Sequence, residues 1–225
     1  MKFFPRIDTN IFEDKSLLSF LILLILLIFV IYPLSDESLL MKIIYNIILT
    51  LILISSTLSI DVRRELKWML ILFAFIVFFS NILSIYVDYD PLTIIHLIIR
   101  TLFLYLVAYF ILKKILFSSE ITVYSIAGSI TVYLLLGVIW ALNYTIIYKI
   151  SESSFIFTQE KVTENTVVWS FLYYSFTTLT TLGYGDILPN GPIARSFAML
   201  EGLIGQLYPV ILIGRLVSSN IATNK

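Results

Sequence analysis

The sequence predicts an all-α membrane protein with six transmembrane helices and a re-entrant helix between the fifth and sixth. Three observations carry this. Of 225 residues, 59% are hydrophobic and 13% charged, about half the charge of a soluble domain. The mean hydropathy of +0.97 exceeds what one compact core can bury, so lipid is the solvent of the fold. Finally, six apolar segments each approach the length of about 20 residues that crosses hydrocarbon. The composition also excludes other chemistries. Fifteen Lys and Arg balance fifteen Asp and Glu, giving no electrostatic reason to expect nucleic acid. Zero Cys removes disulfides and thiolate sites, and a single His, His96, leaves no basis for a His zinc site or a Ser/His/Asp triad. No enzyme is expected.

The spans read Leu17 to Leu34, Leu39 to Ile60, Leu66 to Val87, Leu92 to Leu112, Ile121 to Tyr148 and Ile193 to Ile221. The first follows a charged leader, but no small-residue cleavage pattern precedes Asp36, so it is read as retained. Ten Lys and Arg fall on the side of the termini against four opposite, which puts both termini in the cytoplasm. The expected setting is the cell (inner) membrane, multi-pass in the lipid bilayer. The last two spans run to 28 and 29 residues, about 42 Å at 1.5 Å per residue, so they tilt or protrude. The expected organisation is a tail over 1–16, a four-helix membrane domain over 17–117 and a two-span unit over 118–225. Eight residues, Lys113 to Glu120, join the two units; a linker so short predicts that spans one to four pack on their own chain's second unit.

Between spans five and six, a polar stretch from Lys149 to Thr166 precedes Val167 to Leu179, VVWSFLYYSFTTL. Thirteen residues make a helix of about 20 Å, too short to cross, so it is read as entering the membrane and stopping near its middle. Asn165 or Thr166 is its candidate cap. Its carbonyl end then carries roughly half a negative charge at the membrane centre, which favours a cation. Thr180 to Asp186 follows, where Gly183 and Gly185 flank Tyr184. Glycines open backbone conformations that other residues resist, so successive carbonyls can turn to one side. Four such strands around an axis form rings of oxygen that replace the hydration shell of a monovalent cation. Non-helical backbone at that depth must be shielded by protein or water, so this segment demands neighbours that one subunit cannot supply.

Thr178 to Asp186, TLTTLGYGD, resembles the signature of potassium channels, in particular the six-transmembrane, single-pore-loop tetrameric superfamily. The commonest form there has Val where this chain has Leu182. The resemblance implies potassium-selective passive conduction. The K+ sites would be built by the carbonyls of Thr181, Leu182, Gly183 and Tyr184, with the Thr181 hydroxyl completing the innermost one and Gly185 closing the outer mouth. K+ held there is the only bound ion implied, with no cofactor. Tyr173 and Tyr174 match an aromatic pair bracing the filter, Asp186 would bond to that cuff, and Thr177, Thr178 and Thr180 support the turn. A less selective monovalent cation channel, motivated by Leu182, and a regulatory subunit are the alternatives.

Other residues are read individually. Glu201 lies eight or nine residues into the last span, where an ionisable group is costly. It is placed behind the filter, bonding Thr177 or Ser175, either to tune filter stability or as a plain structural carboxyl. Gly205 matches the hinge glycine of potassium-channel inner helices, and Pro209 removes a helix hydrogen bond four residues later, so a gating bend is expected between them. The alternative is close helix contact through small residues, Gly214 included. The fourth span carries Arg100 alone where a voltage sensor repeats Arg every third residue. Four arginines crossing the whole field would supply about 9 kcal/mol per 100 mV, so voltage gating is expected to be weak or absent. Arg100 is read as a structural ion with Asp88, Asp90, Asn46 or Asn81 as candidate partners, and His96, one turn away, either as a proton sensor or as a packed residue.

Overall fold

The computed structural model describes residues 9–31, 39–60, 62–86, 90–117, 122–158 and 166–223. Helix α1, Thr9–Leu26, runs into a π-helical turn, Leu27–Ile31. It is followed by α2, Leu39–Leu58, α3, Arg64–Tyr86, and α4, Asp90–Phe117. Helix α5, Val123–Ile150, leads through a short 3-10 turn, Glu152–Ser154, into strand β1, Phe155–Phe157. Then come α6, Val167–Leu179, strand β2, Ile187–Pro189, and α7, Pro192–Thr223. Among the described residues, four helices are long and apolar enough to cross a membrane: Arg64–Leu83, Pro91–Leu116, Val123–Ile150 and Pro192–Arg215. Ser16–Ile31 and Ile47–Leu58 are shorter apolar helices.

Helix α5 is the axis of the fold. Its start is fixed locally: Thr122 Oγ1 accepts from the Ser125 amide at 3.2 Å while Ser125 Oγ accepts from the Thr122 amide at 3.4 Å, a reciprocal capping box. Helices α1, α4 and α6 pack directly on it, α7 packs on α6, and α2 and α3 bridge α1 to α4. The first four helices therefore reach α5 of their own chain through α1 and α4. Phe20, Phe103, Leu135, Ile139, Tyr144 and Phe171 are fully buried at these junctions. Ser55 Oγ donates to Ser16 O at 2.8 Å, tying α2 to α1.

Three local expectations change. Helix α1 begins at Thr9, inside the stretch read as a tail. Thr166 occupies the cap position of α6, but its side chain makes no capping bond; its carbonyl accepts from the Ser170 amide and hydroxyl instead. The polar stretch after α5 is not all loop, because β1 pairs antiparallel with β2 through Phe155↔Pro189, Ile156↔Leu188 and Phe157↔Ile187. Of the linker, Lys113 to Phe117 continue α4, while residues 118–120, and Asp88, lie outside the described residues.

Candidate functional site

Helix α6 buries Val167, Ser170, Phe171, Tyr174 and Ser175, positions spaced by three and four that form one helical face, against α5. Two glycines set how closely its neighbours approach. A Cβ on Gly137 of α5 would fall 2.6 Å from the Phe176 ring, and one on Gly205 of α7 would fall 2.0 Å from Leu179 O. Gly205 is thus a close-contact point between α7 and the end of α6, whereas a Cβ on Gly214 would meet nothing within 4 Å among the described residues. Pro209 lies inside α7, where its missing N–H leaves the Gly205 carbonyl without its helical donor.

The chain then turns out of α6. Thr177 Oγ1 and Thr178 Oγ1 both donate to Tyr174 O, at 2.9 and 2.8 Å, and Thr180 Oγ1 donates to Phe176 O at 2.6 Å. The amides of Thr181 and Gly183 donate back to Thr178 O and Thr177 O, at 3.0 and 3.1 Å. Thr181, Gly183 and Gly185 have φ of 62°, 53° and 80°, while Leu182 and Tyr184 between them do not have positive φ. Alternation of hand from residue to residue allows successive carbonyls to turn to one side. Gly183 and Gly185 adopt left-handed φ without steric cost; Thr181 does so against its preference. With the Thr181 and Gly183 amides turned toward α6, the carbonyls of Thr181, Leu182, Gly183 and Tyr184 accept no hydrogen bond among the described residues. Thr181 to Gly185 are all exposed.

Behind this strand, Tyr173 stacks on Tyr184 at 6.3 Å between ring centres and 3° between planes. Tyr174 packs edge-on to Tyr144 at 5.0 Å. Glu201 is wholly buried: its Oε1 lies 2.5 Å from Ser175 Oγ and its Oε2 accepts from the Tyr144 hydroxyl at 2.5 Å. One carboxyl of α7 thus joins α5 and α6. Ser175 Oγ also lies 2.8 Å from Gly137 O. Thr177, the other candidate partner of Glu201, bonds within α6 instead.

The Asp186 carboxylate accepts from the Ile187 amide at 3.1 Å, not from the aromatic cuff of its own chain. Its carbonyl accepts from both the amide and the hydroxyl of Thr158 at 2.9 Å, so the β1–β2 ladder holds the outer end of the strand. Sequence reasoning missed this clamp, and with it Gly137 and Gln206; the short apolar run Phe155–Phe157 inside a polar stretch is its one signal. Away from the strand, His96 and Arg100 are buried in α4, and His96 Nδ1 lies 2.9 Å from Ser80 Oγ of α3. The side chains of Asp88, Asp90 and Asn46 lie outside the described residues.

No curated protein matches the chain. A family model described as ion channel matches residues 97–221, from within α4 through α5, the α6 turn and most of α7. That is more than half of the sequence, and it spans every element that builds the alternating strand: the chain belongs to the ion channel family.

Proposed function

We infer that this channel conducts potassium selectively and passively, as a homotetramer of six-span subunits with both termini cytoplasmic. The observation that carries the reading is the row of unpaired carbonyls from Thr181 to Tyr184, produced by alternating φ in the sequence TLGYG. An unpaired carbonyl inside a membrane costs several kcal/mol. Four strands facing one axis supply each carbonyl with a cation in place of a hydrogen-bond donor, and the ion exchanges its water shell for protein oxygen. The carbonyl end of α6 adds partial negative charge below the strand. Selection rests on Thr181, Leu182, Gly183, Tyr184 and Gly185, with Tyr173, Tyr174, Thr177, Thr178, Thr180, Asp186 and Glu201 holding them. No catalytic step is assigned, and no cofactor beyond bound K+. Arg100, the single Arg of α4 and buried there, supports weak or absent voltage gating.

The test is the reversal potential of the purified protein in planar bilayers with K+ on one side and Na+ on the other. Reversal near the potassium equilibrium potential is expected. Current that reverses near zero refutes selectivity and favours a general monovalent cation channel, the reading that Leu182 motivates.

A further inference from the structure

We propose that Gln206 is a positioning residue for the innermost cation site, acting by donating its amide to the Thr181 hydroxyl; this rests on the channel reading above. Helix α7 meets the base of the strand at two successive residues. Gly205 lies flush on the end of α6, with room for no Cβ against Leu179 O. The next residue, Gln206, has its Nε2 3.5 Å from Thr181 Oγ1. The close contact at Gly205 therefore sets the height at which the Gln206 side chain reaches the strand.

The chemistry follows from the proton count. A Thr hydroxyl has one proton to donate and two lone pairs that accept, and its hydrogen rotates to suit its neighbours. The hydroxyls of Thr177, Thr178 and Thr180 are turned back onto carbonyls of α6, so Thr181 Oγ1 is the side-chain oxygen left at the inner end of the strand. An amide N–H from Gln206 takes one lone pair and repels the hydroxyl proton. The remaining lone pair is then free for a cation, with the proton turned away from it. Without Gln206 the hydroxyl rotates freely and spends part of its time presenting its proton to the ion. Gln206 thus selects the rotor state that a cation requires. Both residues are exposed within the chain, so neither is held in place by core packing.

The test uses the purified full chain and follows its thermal unfolding midpoint as K+ replaces Na+ at constant ionic strength, since a ion bound only by the folded state raises that midpoint. Gln206→Met keeps side-chain length without a donor, and Gln206→Ala removes both. Each is expected to raise the half-stabilising K+ concentration about three- to tenfold, the worth of one hydrogen bond. In a Thr181→Val background, Gln206→Met is expected to change nothing further, because the acceptor is gone. Gln206→Met equal to wild type, or the same factor in both backgrounds, overturns the proposal. Should Thr181→Val not assemble, planar-bilayer currents of Gln206→Met decide it: the half-saturating K+ concentration rises when K+ is varied on the Gln206 side, and an unchanged value overturns the proposal. Wild-type protein that K+ stabilises no better than Na+ refutes the potassium reading instead, whereas K+-specific stabilisation indifferent to Gln206 refutes this inference alone.

Discussion

Replacing Glu201 separates a carboxyl that joins three helices from one that merely fills space. Glu201→Ala removes the acceptor of the Tyr144 hydroxyl and the neighbour of Ser175 Oγ at a site with no solvent exposure. Ser175 retains Gly137 O at 2.8 Å, so Tyr144 is the group left unsatisfied, at about 1–3 kcal/mol. The cavity left by the missing side-chain atoms adds to this, for a total of about 2–5 kcal/mol. For a chain of this size, that is a fall of about 4–20 °C in unfolding midpoint. Glu201→Gln preserves shape: its carbonyl accepts from Tyr144 and its amide donates to Ser175 Oγ, whose own proton goes to Gly137 O. Gln is therefore expected to lose less than half of what Ala loses. The assay is thermal unfolding in nanodiscs, with open probability of the same variants recorded across pH. If the carboxyl tunes the filter, Glu201→Gln alters the pH dependence of open probability; an unchanged response leaves a structural role only. An Ala variant within about 2 °C of wild type would refute the network itself.

Gly205→Ala sets a Cβ 2.0 Å from Leu179 O and is expected to abolish assembly or K+-dependent stabilisation, while Gly214→Ala, which meets nothing within 4 Å among the described residues, stays within about 1 kcal/mol of wild type; equal behaviour of the two in an unfolding assay would contradict the close contact. Leu182→Val is expected to leave the K+/Na+ reversal potential where it is, because the carbonyl does the selecting; a shift toward the potassium equilibrium potential would show that the extra methylene loosens the wild-type filter. Arg100→Gln is expected to leave the steepness of any conductance–voltage relation unchanged, and a shallower relation in bilayer recordings would make Arg100 a gating charge.

The legible parts of this protein are those governed by length and apolar pattern. Helix α6 occupies Val167–Leu179, the segment read from its apolar run, and α7 starts at Pro192, one residue from the predicted span. Other features depend on distances between elements far apart in sequence. Nothing local at Gly137 announces that the Phe176 ring lies where its Cβ would be, and nothing local at Gln206 announces Thr181. Strands β1 and β2 have three residues each, below the length at which alternation stands out, and they pair across the whole re-entrant segment. Asp186 shows the limit of resemblance: the family's pattern directs it to the aromatic cuff, and within this chain its carboxylate accepts from the next amide.

The case for assembly rests on polar atoms rather than on exposed apolar surface. In α3 and in α7 only 11% of the span window is buried within the chain, against 67% in α5. Lipid satisfies α3, whose outward face carries Trp68, Met69, Leu72 and Phe79 and whose backbone is bonded within the helix. The same solvent would equally satisfy Leu203, Leu207 and Val210 of α7, so their exposure does not discriminate. The strand from Thr181 to Gly185 does. Its carbonyls accept nothing from the described residues, and hydrocarbon offers them no donor. The face of the subunit bearing this strand must therefore meet water, ions or further protein. The tetramer proposed above would bring all three together, and what motivates it is the carbonyl row of Thr181 to Tyr184, not the hydropathy of α7.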